Sequence, residues 1–287
     1  MDNRREISEF LRSRRARVHP EEFGLPSQAA RRRVPGLKRE EVALLAGVSV
    51  DYYARLERGL LGGVSTSVLD AIAHALRLDD AERQHLQDLA RTAGAPARRL
   101  RTGPPRTPSL RPSIHALLAG MTGVPAYVRD ARMDILAANP LCVALYDGIL
   151  TNDGTPTNLA RFVFLDGRAH GFFLDWDEVA DGTVGSLRAE AGRNPMDRAL
   201  TDLIGELTTR SDPFASKWAQ HDVRLHRTAT KRLHNSLVGD LELTGNALEL
   251  SGEELTIIAY TAEAGSAAAD KLVLLGSWQP THSPLHH

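Results

Sequence analysis

The stretch KREEVALLAGVSVDYYARLERG, residues 38 to 59, leaves its chain few ways to fold. From Lys38 to Ala46, the apolar residues Val42, Leu45 and Ala46 recur at the three- and four-residue spacing that gathers side chains on one face of a helix. Gly47 ends that helix, since glycine takes the left-handed conformation a helix terminus needs before the chain turns. Ser49 then supplies an N-cap, its hydroxyl able to accept a bond from an amide one turn on. In the second helix Tyr53 and Leu56 fall on the buried side, while Val50, Asp51, Tyr52 and Arg55 point away from the core. Two helices joined by a short turn containing glycine form the motif whose second helix enters the major groove of DNA. Those four outward side chains are therefore the candidates for reading base edges.

The segment GVSVDYYARLERG, closing on Leu56, Glu57, Arg58 and Gly59, resembles the Cro-repressor-type (XRE) helix-turn-helix of bacterial transcription regulators. The resemblance implies five helices, with the second and third as the reader, and phosphate contacts from Arg39 and Arg58. Arg31, Arg32 and Arg33 lie just before the motif, where a backbone-phosphate contact is geometrically natural, and with Lys38 they complete the candidate phosphate set.

Charge divides the chain in the same way. Residues 1 to 105 carry 19 Lys and Arg against 14 Asp and Glu, and the remainder carries 16 against 22, so the half with the motif is the basic half. That asymmetry suits a nucleic-acid-binding module joined to a module with another task. Ahead of the motif, residues 4 to 17 predict a helix with Ile7, Phe10 and Leu11 on its apolar stripe and six arginines on the rest, read here as a solvated face. Beyond it, Ser65 or Ser67 caps a fourth helix and residues 80 to 93 form a fifth, so a first domain spans 1–94. GAPARRLRTGPPRTPSLRP follows, proline-rich and without an apolar period, and residues 95–112 read as a linker.

Residues 113–280 form a second domain of another class. PAYVRDARMDILAAN alternates as two short strands turning at Asp130 and Ala131, and Asn139 with Pro140 ends them and opens a helix. A helical middle and three further strands follow, giving a five-stranded antiparallel sheet with helices over one face, an α+β layout of which a PAS-like sensor is an example. The segments NLARFVFLD, DWDEVA, WAQHDVR, HNSLVGDLEL and YTAEAGSAAADKLVLL resemble the ligand-binding domain of the MmyB-like regulators, a PAS-like module placed after an XRE domain.

Phe162, Phe164, Phe172, Phe173 and Phe214, with Trp176 and Trp218, crowd residues 162 to 218. Such a patch against a short sheet suits an apolar pocket, lined by Phe162, Phe164, Phe172, Phe173, Trp176 and Trp218. Asn139, His221, Arg224 and Tyr260 are candidates for its polar end. The family resemblance implies a small apolar effector, a fatty-acyl compound among the candidates.

Other chemistries find no support in the residues. The single Cys142 rules out a disulfide framework, and His221, His226 and His234 lack the spacing of a zinc site. No nucleophile elbow, phosphate loop or dinucleotide fingerprint occurs, so no catalytic residue, metal or cofactor is expected. No apolar run reaches the length of a membrane span, and the charged start after Met1 is unlike a signal peptide. The expectation is a cytoplasmic, nucleoid-associated one-component regulator, homodimeric on operator DNA, with a small-molecule effector. The alternative is a ligand-independent regulator whose second domain serves only dimerisation.

Overall fold

A computed structural model describes residues 3–24, 36–94, 110–150, 157–220, 228–250 and 254–277. They fall into two compact units, the first made of Met1–Arg101, Val184–Thr208 and Ala215–Leu225, the second of Thr102–Thr183, Thr209–Phe214 and His226–His287.

The first unit opens with α1 (Asn3–Arg17) and a 3-10 turn (Pro20–Phe23), followed by α2 (Arg39–Leu45), α3 (Val50–Glu57), α4 (Thr66–Ala75) and α5 (Asp80–Gly94). Ile7, Phe10 and Leu11 of α1 meet Val42, Tyr53, Leu56, Leu69, Ile72, Leu86 and Leu89 in one core. The turn before α3 is made as the sequence predicts. Gly47 has φ 64° and the Ser49 hydroxyl accepts from the Tyr52 amide at 3.1 Å. Ser65, not Ser67, caps α4, accepting from the Val68 amide at 3.4 Å. At α5, Asp79 and Glu82 accept each other's amides at 2.8 and 3.1 Å, a reciprocal capping box.

The chain continues through α6 (Pro112–Gly120), β1 (Ala126–Asp130), β2 (Asp134–Ala138), α7 (Pro140–Leu145), β3 (Thr157–Asn158), α8 (Leu159–Leu165) and α9 (Ala169–Phe172). There follow α10 (Trp176–Arg193), α11 (Arg198–Arg210), α12 (Asp212–Ala219), β4 (Thr228–Asn235), β5 (Gly239–Glu249), β6 (Leu255–Thr261) and α13 (Ala267–Ser277). The division between units falls inside α10. Within the first unit its later turns pack on α1 and α5: Arg188 donates to Glu6 at 2.7 Å, both side chains buried, and Gly192 lies so close to His85 that a Cβ there would stand 2.7 Å from the ring.

The sheet of the second unit is wholly antiparallel, in the order β3-β2-β1-β6-β5-β4. It has six strands where the sequence predicts five. The addition is β3, whose two residues pair with β2 through Asp134 and Ile135 and are too short to leave an alternating signature. Helices also lie on both faces rather than one. Ala126, Val128, Leu255, Ile257 and Ala259 turn towards Ile114 and Leu118 of α6. The opposite face carries Tyr127 and Tyr260, against which Tyr146 at the end of α7 and, through it, Phe172 of α9 stack. The segment after α9 is tied to the outer strand by the Phe173 and Leu233 bridge, by the Leu174 amide donating to Arg232, and by the Arg232 and Asp175 ion pair.

Candidate DNA interface and effector site

Along α3 the outward side chains form a stripe. Val50, Asp51 and Arg55 are exposed, and Arg58 follows at the C-cap. Asp51, Arg55 and Arg58 stand four and three residues apart, hence on one side of the helix. Tyr52 is half-buried and packs against the core, leaving only part of its ring outward. An exposed carboxylate can accept from a cytosine amine and an arginine can grip guanine, so the stripe holds the donors and acceptors of base recognition.

What fixes α3 in place is its last residue. Glu57 is fully buried, and its carboxylate accepts from Arg15 at 2.6 Å and from Arg39 at 2.5 Å, joining α1, α2 and α3. Arg39, expected on a phosphate, therefore also serves as an internal tie, while its side chain remains 48% exposed. Arg58 and Lys38 are exposed. Arg31, Arg32 and Arg33 lie outside the described residues.

In the second unit the aromatic residues sort into groups that chain position does not predict. Phe162, Phe172 and Phe173 form one cluster with Tyr127, Tyr146 and Tyr260, with ring centroids 4.8 to 6.4 Å apart and every member no more than 5% exposed. Phe164, Trp176 and Phe214 form a second, at 5.0 and 5.8 Å. Trp218 joins neither. It belongs to the first unit, where the Arg188 guanidinium lies 4.1 Å from its ring. Asn139 is not available as a polar end either. Its side chain donates to the carbonyls of Met121 and Val124 and accepts from the amides of Ala126 and Cys142, clasping β1 to the start of α7. His221 and Arg224 lie outside the described residues.

Tyr260 does sit where a polar contact is possible. Its hydroxyl bonds that of Tyr146 at 2.9 Å, inside an apolar shell. Burial holds the phenols of Tyr127, Tyr146 and Tyr260 above their ordinary range, so they stay neutral. Sequence reasoning missed the neighbour that matters most, Lys231. It alternates with Leu233 and Asn235 on β4 and lies opposite Leu243 on β5, which turns it to the tyrosine face. Its ammonium is 5.8 Å from the centre of the Tyr260 ring. Desolvation, then repulsion from Arg129, lowers its pKa to about 8. Arg129 shares that face with Tyr127, two residues away on β1, and among the described residues neither cation has a carboxylate partner. Both residues are half-buried, and a partly desolvated cation without a counter-ion is costly, a cost that falls when an anion arrives. No local pattern signalled it, since its direction follows from the pairing of β4 with β5.

Among the described residues no helix is long and apolar enough to cross a membrane. Residues 6–86 match the family described as helix-turn-helix domain, in accord with the XRE-like reading of the motif. Residues 110–275 match the MmyB-like transcription regulator ligand binding domain. A search of curated proteins finds none that matches the chain. With more than half of its length inside the second match, the chain belongs to the MmyB-like regulators, a ligand-binding domain carried behind an XRE-like helix-turn-helix.

Proposed function

We propose that this chain is a one-component transcription regulator in which α3 reads operator DNA and the tyrosine face of a PAS-like second domain holds a small apolar effector with an anionic head, a fatty-acyl carboxylate being the simplest case. The DNA half of this reading rests on the exposed stripe of Asp51, Arg55 and Arg58 on a helix held rigidly at its other side. The effector half rests on one observation, the inward Lys231 beside Arg129 and a shell of aromatic rings. Arg55 and Asp51 carry base preference, with Val50 and the outward part of Tyr52 in contact range. Arg39, Arg58 and Lys38 contact phosphate, and Arg31, Arg32 and Arg33 extend that set. A homodimer is proposed because one such helix covers too few base pairs for useful specificity.

Native mass spectrometry of the purified full chain, followed by solvent extraction, tests both the assembly and the effector. A dimer carrying a lipid-like acid supports the proposal. A second reading, a domain for dimerisation alone, draws on the close packing of the rings, which touch at ordinary aromatic distances. An apo dimer unchanged by a panel of straight-chain fatty acids would favour that second reading.

A further inference from the structure

The arginines at the start of α1 read, in sequence, as a solvated helix face. Arg4, Arg5 and Arg12 are exposed in accord with that reading, and the fold adds a neighbour beside them. Gly59, just past the end of α3, has φ 87°, and a Cβ on it would stand 2.3 Å from the Arg4 carbonyl oxygen. The first turn of α1 is therefore pressed against the end of the reading helix. Two adjoining clefts mark the junction. One, of about 370 Å³, is lined by Arg4, Arg55 and Gly59 among others, and the next, of about 380 Å³, by Arg4, Arg5, Glu9, Arg12 and Arg58. Arg4, Arg5, Arg12 and Arg58 thus line one cleft together with the carboxylate of Glu9, which Arg5 holds at 2.8 Å, and Arg55 lines the cleft beside it. Arg12, Arg55 and Arg58 are all exposed.

Like charges gathered on one surface repel each other, and a polyanion relieves that repulsion. The placement selects which polyanion. The cluster continues the stripe that faces bases, and a duplex whose major groove receives α3 carries a phosphate strand along each edge of that groove. We infer that the α1 face of Arg5 and Arg12, together with Arg58, is a third DNA-contacting element that grips the phosphate strand bordering the groove. The inference rests on the proposal that α3 enters that groove. Arginine suits the task because its planar fork meets phosphate oxygens in pairs. Such contacts position the protein without reading sequence.

The test is fluorescence anisotropy of labelled duplexes across a salt series with the full chain, using a duplex selected from a random pool and one of mixed sequence. Arg5→Ala combined with Arg12→Ala removes two exposed side chains from a helix that tolerates alanine. Each phosphate contact contributes about 0.9 to the slope of log affinity against log salt, so the double variant flattens the slope by about 2. The loss is the same on both duplexes. Glu9→Gln, which removes the carboxylate that lines this cleft, tightens binding to both. Slopes that coincide with the unsubstituted chain, together with an unchanged Glu9→Gln affinity, overturn the role of α1 while leaving α3 as reader. An unsubstituted chain that binds no duplex overturns the DNA-binding proposal and this inference with it.

Discussion

Glu57 shows how much of an interface can depend on a side chain that never reaches it. Both of its oxygens receive a guanidinium, Arg15 from α1 and Arg39 from α2, so the reading helix is locked at the residue before its exposed end. Arg15→Met leaves the buried carboxylate with one partner and is expected to lower stability in urea unfolding by about 3 kcal/mol, the cost typical of breaking a buried pair. Arg55→Ala, in contrast, should leave stability unchanged and reduce the preference for a selected duplex over a mixed one by about 5- to 150-fold, since a bidentate arginine-guanine pair discriminates by about 1 to 3 kcal/mol. Arg39→Ala should weaken both duplexes alike and also lower the unfolding midpoint. Lys231 makes the opposite kind of prediction. Its folded pKa of about 8 lies below the ordinary 10.5, so the unfolded chain holds more protons between those values. Lysine then destabilises the empty protein at pH below about 8, and stability rises as pH climbs from about 8 towards 10.5. Lys231→Met should raise urea stability at pH 7 by about 1 kcal/mol and remove that rise with pH, and in the same variant binding of a fatty-acid anion should fall. The role of Lys231 was not legible in TATKRLHN, because its direction follows from pairing with β5, which no local pattern states.

Elements whose signals are local were readable from sequence. Gly47 and Ser49 make the turn before α3 by their own backbone and hydroxyl chemistry, and Asn139 with Pro140 opens α7 by the same means. Elements defined by partners were not. The two-residue β3 exists only because β2 lies beside it, and its second residue, Asn158, caps α8 by accepting from the Arg161 amide. Position along the chain also misled. Trp218 is close in sequence to the phenylalanines yet stacks on Arg188, because α10 passes from one compact unit into the other. In the first unit the later turns of α10 need Gly192. A Cβ there would meet the His85 ring at 2.7 Å, and the ring is buried between Phe10 and that helix. Gly192→Ala is expected to destabilise the chain by about 1 to 3 kcal/mol through overpacking. Adding His85→Ala should restore part of the loss, and a double-variant cycle in urea showing strict additivity would contradict this account.

For the whole molecule, the division into a basic half and an acidic half anticipated two tasks, and the two family matches assign them to DNA and to a ligand. The candidate site was legible in kind but not in membership. An aromatic patch was evident from composition, whereas the tyrosine triad comes from three separate elements, β1, the end of α7 and β6, and forms only when the sheet does. A ligand that binds one state of a regulator better than another shifts its DNA affinity by the same factor that DNA shifts the ligand's. The most direct measurement is therefore the affinity of the full chain for a selected duplex, by fluorescence anisotropy, with and without a series of straight-chain fatty acids. The account predicts a change of about 5- to 150-fold at one range of chain lengths, the usual size of such couplings, with Lys231→Met insensitive to the same acids. An affinity that stays constant across the whole series in the unsubstituted chain would contradict it.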